Sequence, residues 1–204
     1  SLKRSNQLKD LFTDIIRHDL LNPVAVVKGF ADVLVNDIRF AKSKPVKNIA
    51  SNINKIEGII KEASRYAKIE SEEKLERRKM DLKDVINEVC EECKPLYDKA
   101  GMKIINKVES MPISANPMIR DVFLNFLTNA LKYATDGKTV EIESKIEKKY
   151  YRIMFRDHGE GIPDKYKEII FNRFRHKEKL AVKGTGLGLA IVKRIVRMHK
   201  GDVW

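Results

Sequence analysis

The feature that most constrains this chain is a heptad seam in its first third. Apolar residues recur at Ile49, Ile53, Ile56, Ile60, Ala63 and Ala67, a 4-3-4-3-4 spacing. Only a helix puts such positions on one stripe, and the stripe must be covered by other helices. A second helical stretch, Leu8 to Val35, precedes it with two apolar faces: Leu8, Phe12 and Ile15, then Ile16, Leu20, Val27 and Leu34. Asp37 to Lys47, with Ser43 and Pro45, reads as the turn between them. A helix apolar on two faces needs more than one neighbour, and two helices alone bury too little surface. A symmetric homodimer through residues 5–70 that closes a four-helix bundle meets both demands.

The pattern changes after a charged stretch. Residues 73–79 are almost all charged and are predicted to be a linker. Beyond it, Asp81 to Lys99 reads as a helix with Asp81 as N-cap, and Met102 to Val108 as a strand. Pro117 to Ala134 reads as a long amphipathic helix with Asn116 as N-cap and Pro117 in its first position. Val140–Ile146 and Tyr151–Phe155 alternate like paired strands joined at Glu147-Lys148-Lys149, and Leu187 to His199 is a last helix with Gly201 at its exit. The predicted architecture is an all-α two-helix hairpin (1–72), the linker, and an α+β sandwich domain (80–204) with a sheet covered by helices on one face.

Charge and cysteine usage narrow the class. The net charge is +12, but basic residues alternate with acids, as in Glu72-Glu73-Lys74-Leu75-Glu76-Arg77-Arg78-Lys79. No basic arm or aromatic-basic stripe stands out, which argues against nucleic acid. Cys90 and Cys93 sit in a helical pattern with Val85, Ile86 and Val89, without a second pair or a nearby histidine, so they read as core residues. Two thiols without a disulfide framework suit the cytoplasm. No apolar run reaches the ~20 residues that span a bilayer. The chain opens on Ser-Leu-Lys and closes on Gly-Asp-Val-Trp204, where an apolar strand would start. Both ends read as cut, so the expectation is the cytoplasmic part of a longer protein, reaching a membrane only through segments absent from this chain.

A polar patch interrupts the first helical stretch at His18-Asp19-Leu20-Leu21-Asn22-Pro23. His18 and Asn22 are i and i+4, with Asp19 beside them. Pro23 removes the N–H that would bond the Asp19 carbonyl, so the helix is strained where the patch lies. A neutral imidazole nitrogen is a nucleophile near pH 7. A neighbouring carboxylate accepts its other proton. An amide one turn on can hold water or a transferring group.

Three later segments read as a nucleotide site. In Asn125-Phe126-Leu127-Thr128-Asn129-Ala130-Leu131-Lys132-Tyr133, the residues Asn125, Asn129 and Lys132 share one helix face. Asparagine is a poor helix former, and its amide oxygen is a hard, neutral ligand for Mg²⁺. Lys132 can reach a phosphate. Asp157-His158-Gly159-Glu160-Gly161-Ile162-Pro163 ends a strand with an acceptor for an exocyclic amine such as that of adenine, followed by glycines that allow close approach. Lys183-Gly184-Thr185-Gly186-Leu187-Gly188 leads into a helix, where exposed N–H groups favour an anion. The stretch 164–183 between them is basic with few apolar anchors, Ile169, Ile170, Phe171 and Phe174, and reads as a lid. Lys177 and Lys183 are its candidates for phosphate contact.

Taken in order, His-Asp-x-x-Asn-Pro, Asn-x-x-x-Asn-Ala-x-Lys-Tyr, Asp-x-Gly-x-Gly-Ile, Phe171-Asn-Arg-Phe174 and Gly-Thr-Gly-Leu-Gly-Leu resemble the sensor histidine kinases of two-component systems over nearly the whole chain. The resemblance implies a dimerisation and phosphoacceptor bundle, then an ATP-binding domain of the gyrase and Hsp90 type. It implies phosphorylation of His18 by ATP, with Asp19 as the activating acid and Asn22 at the place linked to dephosphorylating a response regulator. It further implies Mg²⁺ on Asn129, with Asn125 and Lys132 nearby, Tyr133 against the nucleotide and Asp157 reading adenine. Gly159, Gly161, Ile162, Gly184, Thr185, Gly186, Leu187 and Gly188 would shape the pocket and lid, and Phe171 and Phe174 would anchor the lid. The implied partner is the receiver domain of a response regulator. Asp19 stands where Glu is commoner, and Asn116 where the family often has Asp before Pro. The rival reading is an ATP-driven clamp or chaperone ATPase, which needs a catalytic Glu on the first-Asn helix; here that helix offers Asp121 and Asn125.

Overall fold

The computed structural model describes residues 21–37, 39–40, 42–71, 76–167, 169–171 and 187–204. Helices α1 (Leu21–Asn36) and α2 (Lys44–Ser71) pack side by side as a hairpin. The part of the expected first helix before Leu21 lies outside the described residues. Ile53 and Ile60 of the heptad seam are buried, together with Ala31 of α1, while Ile49 and Ile56 stay exposed. The seam thus splits: Ile53 and Ile60 are covered, and Ile49 and Ile56 face outward. Lys28 reaches across the hairpin to Glu57 at 2.7 Å, and Lys61 meets the same carboxylate. Hydrogen bonds from these two ammonium groups hold the Glu57 carboxyl down to about 2.

The second unit, Lys74–Arg175 with Leu189–Trp204, has its own core. Its elements are β1 (Arg78–Asp81), α3 (Leu82–Lys99), β2 (Lys103–Lys107), β3 (Pro112–Ala115), α4 (Ile119–Tyr133), a 3₁₀ turn (Thr135–Gly137), β4 (Thr139–Glu147), β5 (Tyr150–Asp157), a short α5 (Asp164–Lys167) and α6 (Gly188–Met198). Strands β2, β4 and β5 form one sheet, with β2 parallel and β5 antiparallel to β4. Strands β1 and β3 form a separate antiparallel pair. Val140 and Ile142 of β4 are buried while Thr139, Glu141 and Glu143 alternate with them. Leu82, Ile86, Val89, Cys93 and Tyr97 of α3 and Val122, Phe123, Leu127 and Ala130 of α4 supply the helical side of the core. Phe123 and Phe126 stack on Phe155 of β5, which fixes α4 on that face of the sheet. Among the described residues, no helix is long and apolar enough to cross a membrane.

Several expected boundaries move. Arg78 and Lys79, predicted to lie in the linker, belong to β1, because Arg78 pairs with Ala115 and Lys79 with Ser114. The helix predicted from Pro117 begins at Ile119; the Asn116 side chain accepts from Met118 N–H at 2.9 Å, so Asn116–Met118 is a turn before the helix. At the end of α6 the left-handed residue is Lys200, φ 63°, not Gly201. Gly201 donates instead to Val196 O at 3.0 Å, and an added Cβ there would meet Val196 Cγ1 at 3.0 Å. Gly201–Trp204 forms no strand here.

Asp81 is the N-cap as expected, but it also does more. One carboxylate oxygen accepts Lys83 N–H at 2.9 Å and Met111 N–H at 2.8 Å, and the other accepts the Ser110 hydroxyl. These bonds, the Ser110 hydroxyl foremost, hold its carboxyl below the usual carboxylate range. Its contribution to stability is therefore complete above the unfolded carboxylate value and is lost as pH falls through the depressed one. Asp81→Ala lowers Tm by several degrees at neutral pH, and the difference from wild type shrinks as the melts are repeated at progressively lower pH. An unchanged Tm at neutral pH would show that the cap is idle.

Candidate nucleotide site

The site grows from the period of α4. Val122, Phe123, Leu127 and Ala130 are buried, which turns Asn125 and Asn129 to a half-buried face and leaves Lys132 exposed at its end. The Asn125 amide nitrogen donates to Asp121 O at 2.8 Å, so its amide oxygen is the group left to bind. The Asn129 amide has no partner among the described residues. Thr128 returns its hydroxyl to Leu124 O at 2.8 Å and takes no part in that face. Tyr97 Oη donates to Leu127 O at 2.9 Å, tying α3 to α4 between the two asparagines. Burial pushes the Tyr97 hydroxyl well up, helped by Cys93, Cys90 and Asp157, so it stays a donor.

The loop after β5 is pressed against the end of α4. A Cβ on Gly159 would lie 2.8 Å from Ala134 Cβ and 2.9 Å from Ala134 Cα. A Cβ on Gly137 would lie 2.5 Å from His158 C and 2.7 Å from His158 O. Two glycines thus let three backbones meet: the exit of α4, the 3₁₀ turn and the strand-end loop. Asp157 Oδ1 accepts Gly159 N–H at 3.2 Å, which turns the chain back toward α4. His158 Nε2 lies 3.2 Å from Glu141 Oε1 on β4, bracing the loop from the sheet. Gly161 follows with φ 73°, and Ile162 is exposed.

The structure therefore brings Tyr133 and the loop Asp157–Gly159 together at the end of the helix that carries Asn125, Asn129 and Lys132. Leu187 is buried and Gly188 opens α6. Asn22 is exposed on the first turn of α1. His18, Asp19, Phe174, Lys177, Lys183, Gly184, Thr185 and Gly186 lie outside the described residues. Phe171 is buried, with Lys193 Nζ 5.9 Å from its ring. Gly137 escapes sequence reasoning, although Asp136-Gly137 is a turn signal; what it must accommodate is visible only in space. Cys90 and Cys93 are not part of the site: burial pushes the Cys90 thiol up to about 11 and raises that of Cys93.

Residues 115–204 match the family described as histidine kinase-, DNA gyrase B-, and HSP90-like ATPase. Hybrid signal transduction histidine kinase D of Dictyostelium discoideum is 30% identical over 217 residues, which covers 99% of this chain and 14% of that protein. Sensor histidine kinase RcsC of Escherichia coli K12 is 28% identical, covering 98% of this chain and 22% of the relative. ArlS of Staphylococcus aureus is 27% identical, covering 94% and 44%. The chain thus spans less than half the length of each of these relatives. Full-length ShkA, solved in complex with AMPPNP, shares the fold with a TM-score of 0.72 at 23% identity, over 94% of this chain and 41% of that one. The mycobacterial sensor histidine kinase MprB superposes with a TM-score of 0.55 at 26% identity, over 61% of this chain and 81% of that one. Residues 115–204 are thus a histidine kinase-, DNA gyrase B- and HSP90-like ATPase domain, and over nearly its whole length the chain is similar to sensor histidine kinases.

Proposed function

We propose that this chain is a kinase core that binds ATP on its second unit, phosphorylates its own His18, and passes the phosphoryl group to an Asp of a response-regulator receiver domain. The observation that carries the reading is the junction at the end of α4. There the exit of the helix that carries the two asparagines meets the loop that begins with Asp157, at contacts where Gly137 and Gly159 leave no room for a Cβ. Asp157 would accept from the adenine amine, Tyr133 would lie against the nucleotide, and Lys132 would meet the phosphates. Lys177 and Lys183 of the lid would add positive charge. Asn129 fits Mg²⁺: its amide is half-buried and without a partner among the described residues, and its oxygen is a hard neutral donor. Bound there with the triphosphate, the ion would neutralise phosphate charge.

In the reaction, a ring nitrogen of His18 forms a bond to the γ-phosphorus while the bond to the ADP oxygen breaks. Asp19 takes the proton from the other ring nitrogen, and ADP leaves as the oxyanion. This transfer relies on positioning and charge neutralisation more than on covalent help. Asn22, exposed one turn on, would orient water when the phosphoryl group is removed from the partner. A homodimer through residues 5–70 is part of the reading. Val26, Val27, Phe30 and Val33 of α1 and Ile49 and Ile56 of α2 are all exposed, and a second hairpin would bury them as a four-helix bundle. We place the chain in the cytoplasm, where ATP is present and two free thiols stay reduced.

Incubation with γ-labelled ATP is expected to give an acid-labile, alkali-stable label on the protein. His18→Gln loses more than about 10²-fold of that label yet still binds nucleotide, while Asn129→Ala loses both. Labelling of His18→Gln at the wild-type level sinks the proposal. So does steady ATP turnover with no labelled protein, which is the behaviour of a clamp ATPase.

A further inference from the structure

We propose that His199 is a pH-sensitive latch that fastens residues 76–77 to the start of α4 and the end of α6. Four hydrogen bonds make up the latch. Asn116 N–H lies 2.9 Å from His199 Nε2. His199 Nδ1 lies 2.8 Å from Ile195 O. Asn116 Nδ2 donates to Glu76 O at 2.9 Å. Arg77 Nη2 donates to Met198 O at 3.0 Å. The partners define the ring's state. A backbone N–H can only donate, so Nε2 must accept; a carbonyl can only accept, so Nδ1 must carry the proton. The ring is therefore neutral, in the Nδ1–H tautomer, with both nitrogens engaged. The Asn116 amide is oriented by the same logic, since its Oδ1 accepts Met118 N–H at 2.9 Å.

Protonation puts an N–H on Nε2 against the N–H of Asn116, and the contact at the centre of the cluster becomes repulsive. Residue 116 then moves, and with it the amide that holds Glu76. The charged side chains on the segments meeting here are Glu76 and Arg77 before β1, Arg120 and Asp121 at the start of α4, and Arg194, Arg197, Lys200 and Asp202 around the ring's own position. Burial is the main influence on the half-buried ring and lowers its pKa from 6.5; the Ile195 carbonyl opposes this, and the Arg77 charge adds to the lowering. The latch is accordingly complete above the unfolded histidine value and is lost as pH falls through the lower folded one. Residues 76–77 immediately precede β1, so the latch fixes the segment that leads into the first strand of the second unit. None of this depends on nucleotide or on the proposed phosphoryl transfer.

Hydrogen exchange by NMR on the 204-residue chain tests it. Protection of the Asn116 amide, corrected for the intrinsic pH dependence of exchange, is expected to fall by up to about tenfold per pH unit between the unfolded histidine value and the lower folded one. In His199→Gln the side-chain oxygen keeps an acceptor that does not titrate, so protection at Asn116 should be flat over the same range. Asn116→Ala keeps the backbone donor to His199 and cuts the two side-chain bonds, to Glu76 O and from Met118 N–H. It should leave the Asn116-position amide pH-dependent while Arg77 and Arg78 lose protection already at neutral pH. Equal pH dependence in wild type and His199→Gln overturns the latch. Imidazole nitrogen-15 shifts of the wild type near neutral pH decide the matter even if a variant fails to fold: the Nδ1–H tautomer supports the latch and the Nε2–H tautomer overturns it.

Discussion

Gly137→Ala weakens binding of a non-hydrolysable ATP analogue by at least about tenfold, a loss of ~1.4 kcal/mol. The new Cβ would sit 2.5 Å from His158 C, 2.7 Å from His158 O and 2.9 Å from His158 Cα. All three are backbone atoms, so no side-chain rotation relieves the contact. The 3₁₀ turn and the strand-end loop must separate by on the order of an ångström to restore ordinary van der Waals distance. His158 stands between Asp157 and Gly159, and Gly159 is itself wedged against Ala134. The displacement therefore moves the carboxylate proposed to read adenine away from the end of α4. Overpacking of this kind also costs ~1–3 kcal/mol of stability, so the affinity is measured by calorimetry well below the variant's Tm. Gly159→Ala, whose Cβ meets Ala134 at 2.8 Å, should act in the same direction. Affinity unchanged within twofold in a folded Gly137→Ala protein would remove the junction from the site.

The second large effect is expected at Tyr97. Its side chain is 1% exposed and is the largest of the fully buried ones among the described residues. Its hydroxyl donates to Leu127 O at 2.9 Å, on the turn of α4 between Asn125 and Asn129. Tyr97→Ala should destabilise by ~3–5 kcal/mol, because the ring's volume becomes a cavity that the surrounding helices fill only in part. Tyr97→Phe removes the hydroxyl alone and should cost ~1 kcal/mol. Thermal unfolding followed by circular dichroism checks both. A Tm loss in Tyr97→Ala no greater than that of Tyr97→Phe would show that the core collapses around the site, contrary to the packing described.

The parts of the fold legible in the sequence are those set by local periodicity. The asparagine face of α4 follows from a 3.6-residue repeat whose opposite side is Val122, Phe123, Leu127 and Ala130. The hairpin turn at Lys148-Lys149 follows from two alternating runs around a charged pair. Asp81 shows itself as a cap because a carboxylate stands immediately before a helical pattern. Strands β1 and β3 are not legible: Arg-Lys-Met-Asp and Pro-Ile-Ser-Ala are too short to show a period, and each is a strand only because the other lies beside it. The parallel register of β2 on β4, Lys103 opposite Thr139, is likewise a pairing between distant segments.

By itself, then, the sequence determined the helical hairpin, the mixed second unit and the order of the site motifs, since these depend on spacing within one helix turn or one strand. The tertiary structure decided which members of the heptad seam are buried: Ile53 and Ile60 are covered, and Ile49 and Ile56 stay exposed. It decided that Gly137 and Gly159 are glycines because three backbones converge there. It decided that His199 accepts a proton donor 83 residues earlier in the chain. Contacts between residues far apart in sequence are set by how the packed elements meet, and no local pattern carries that information.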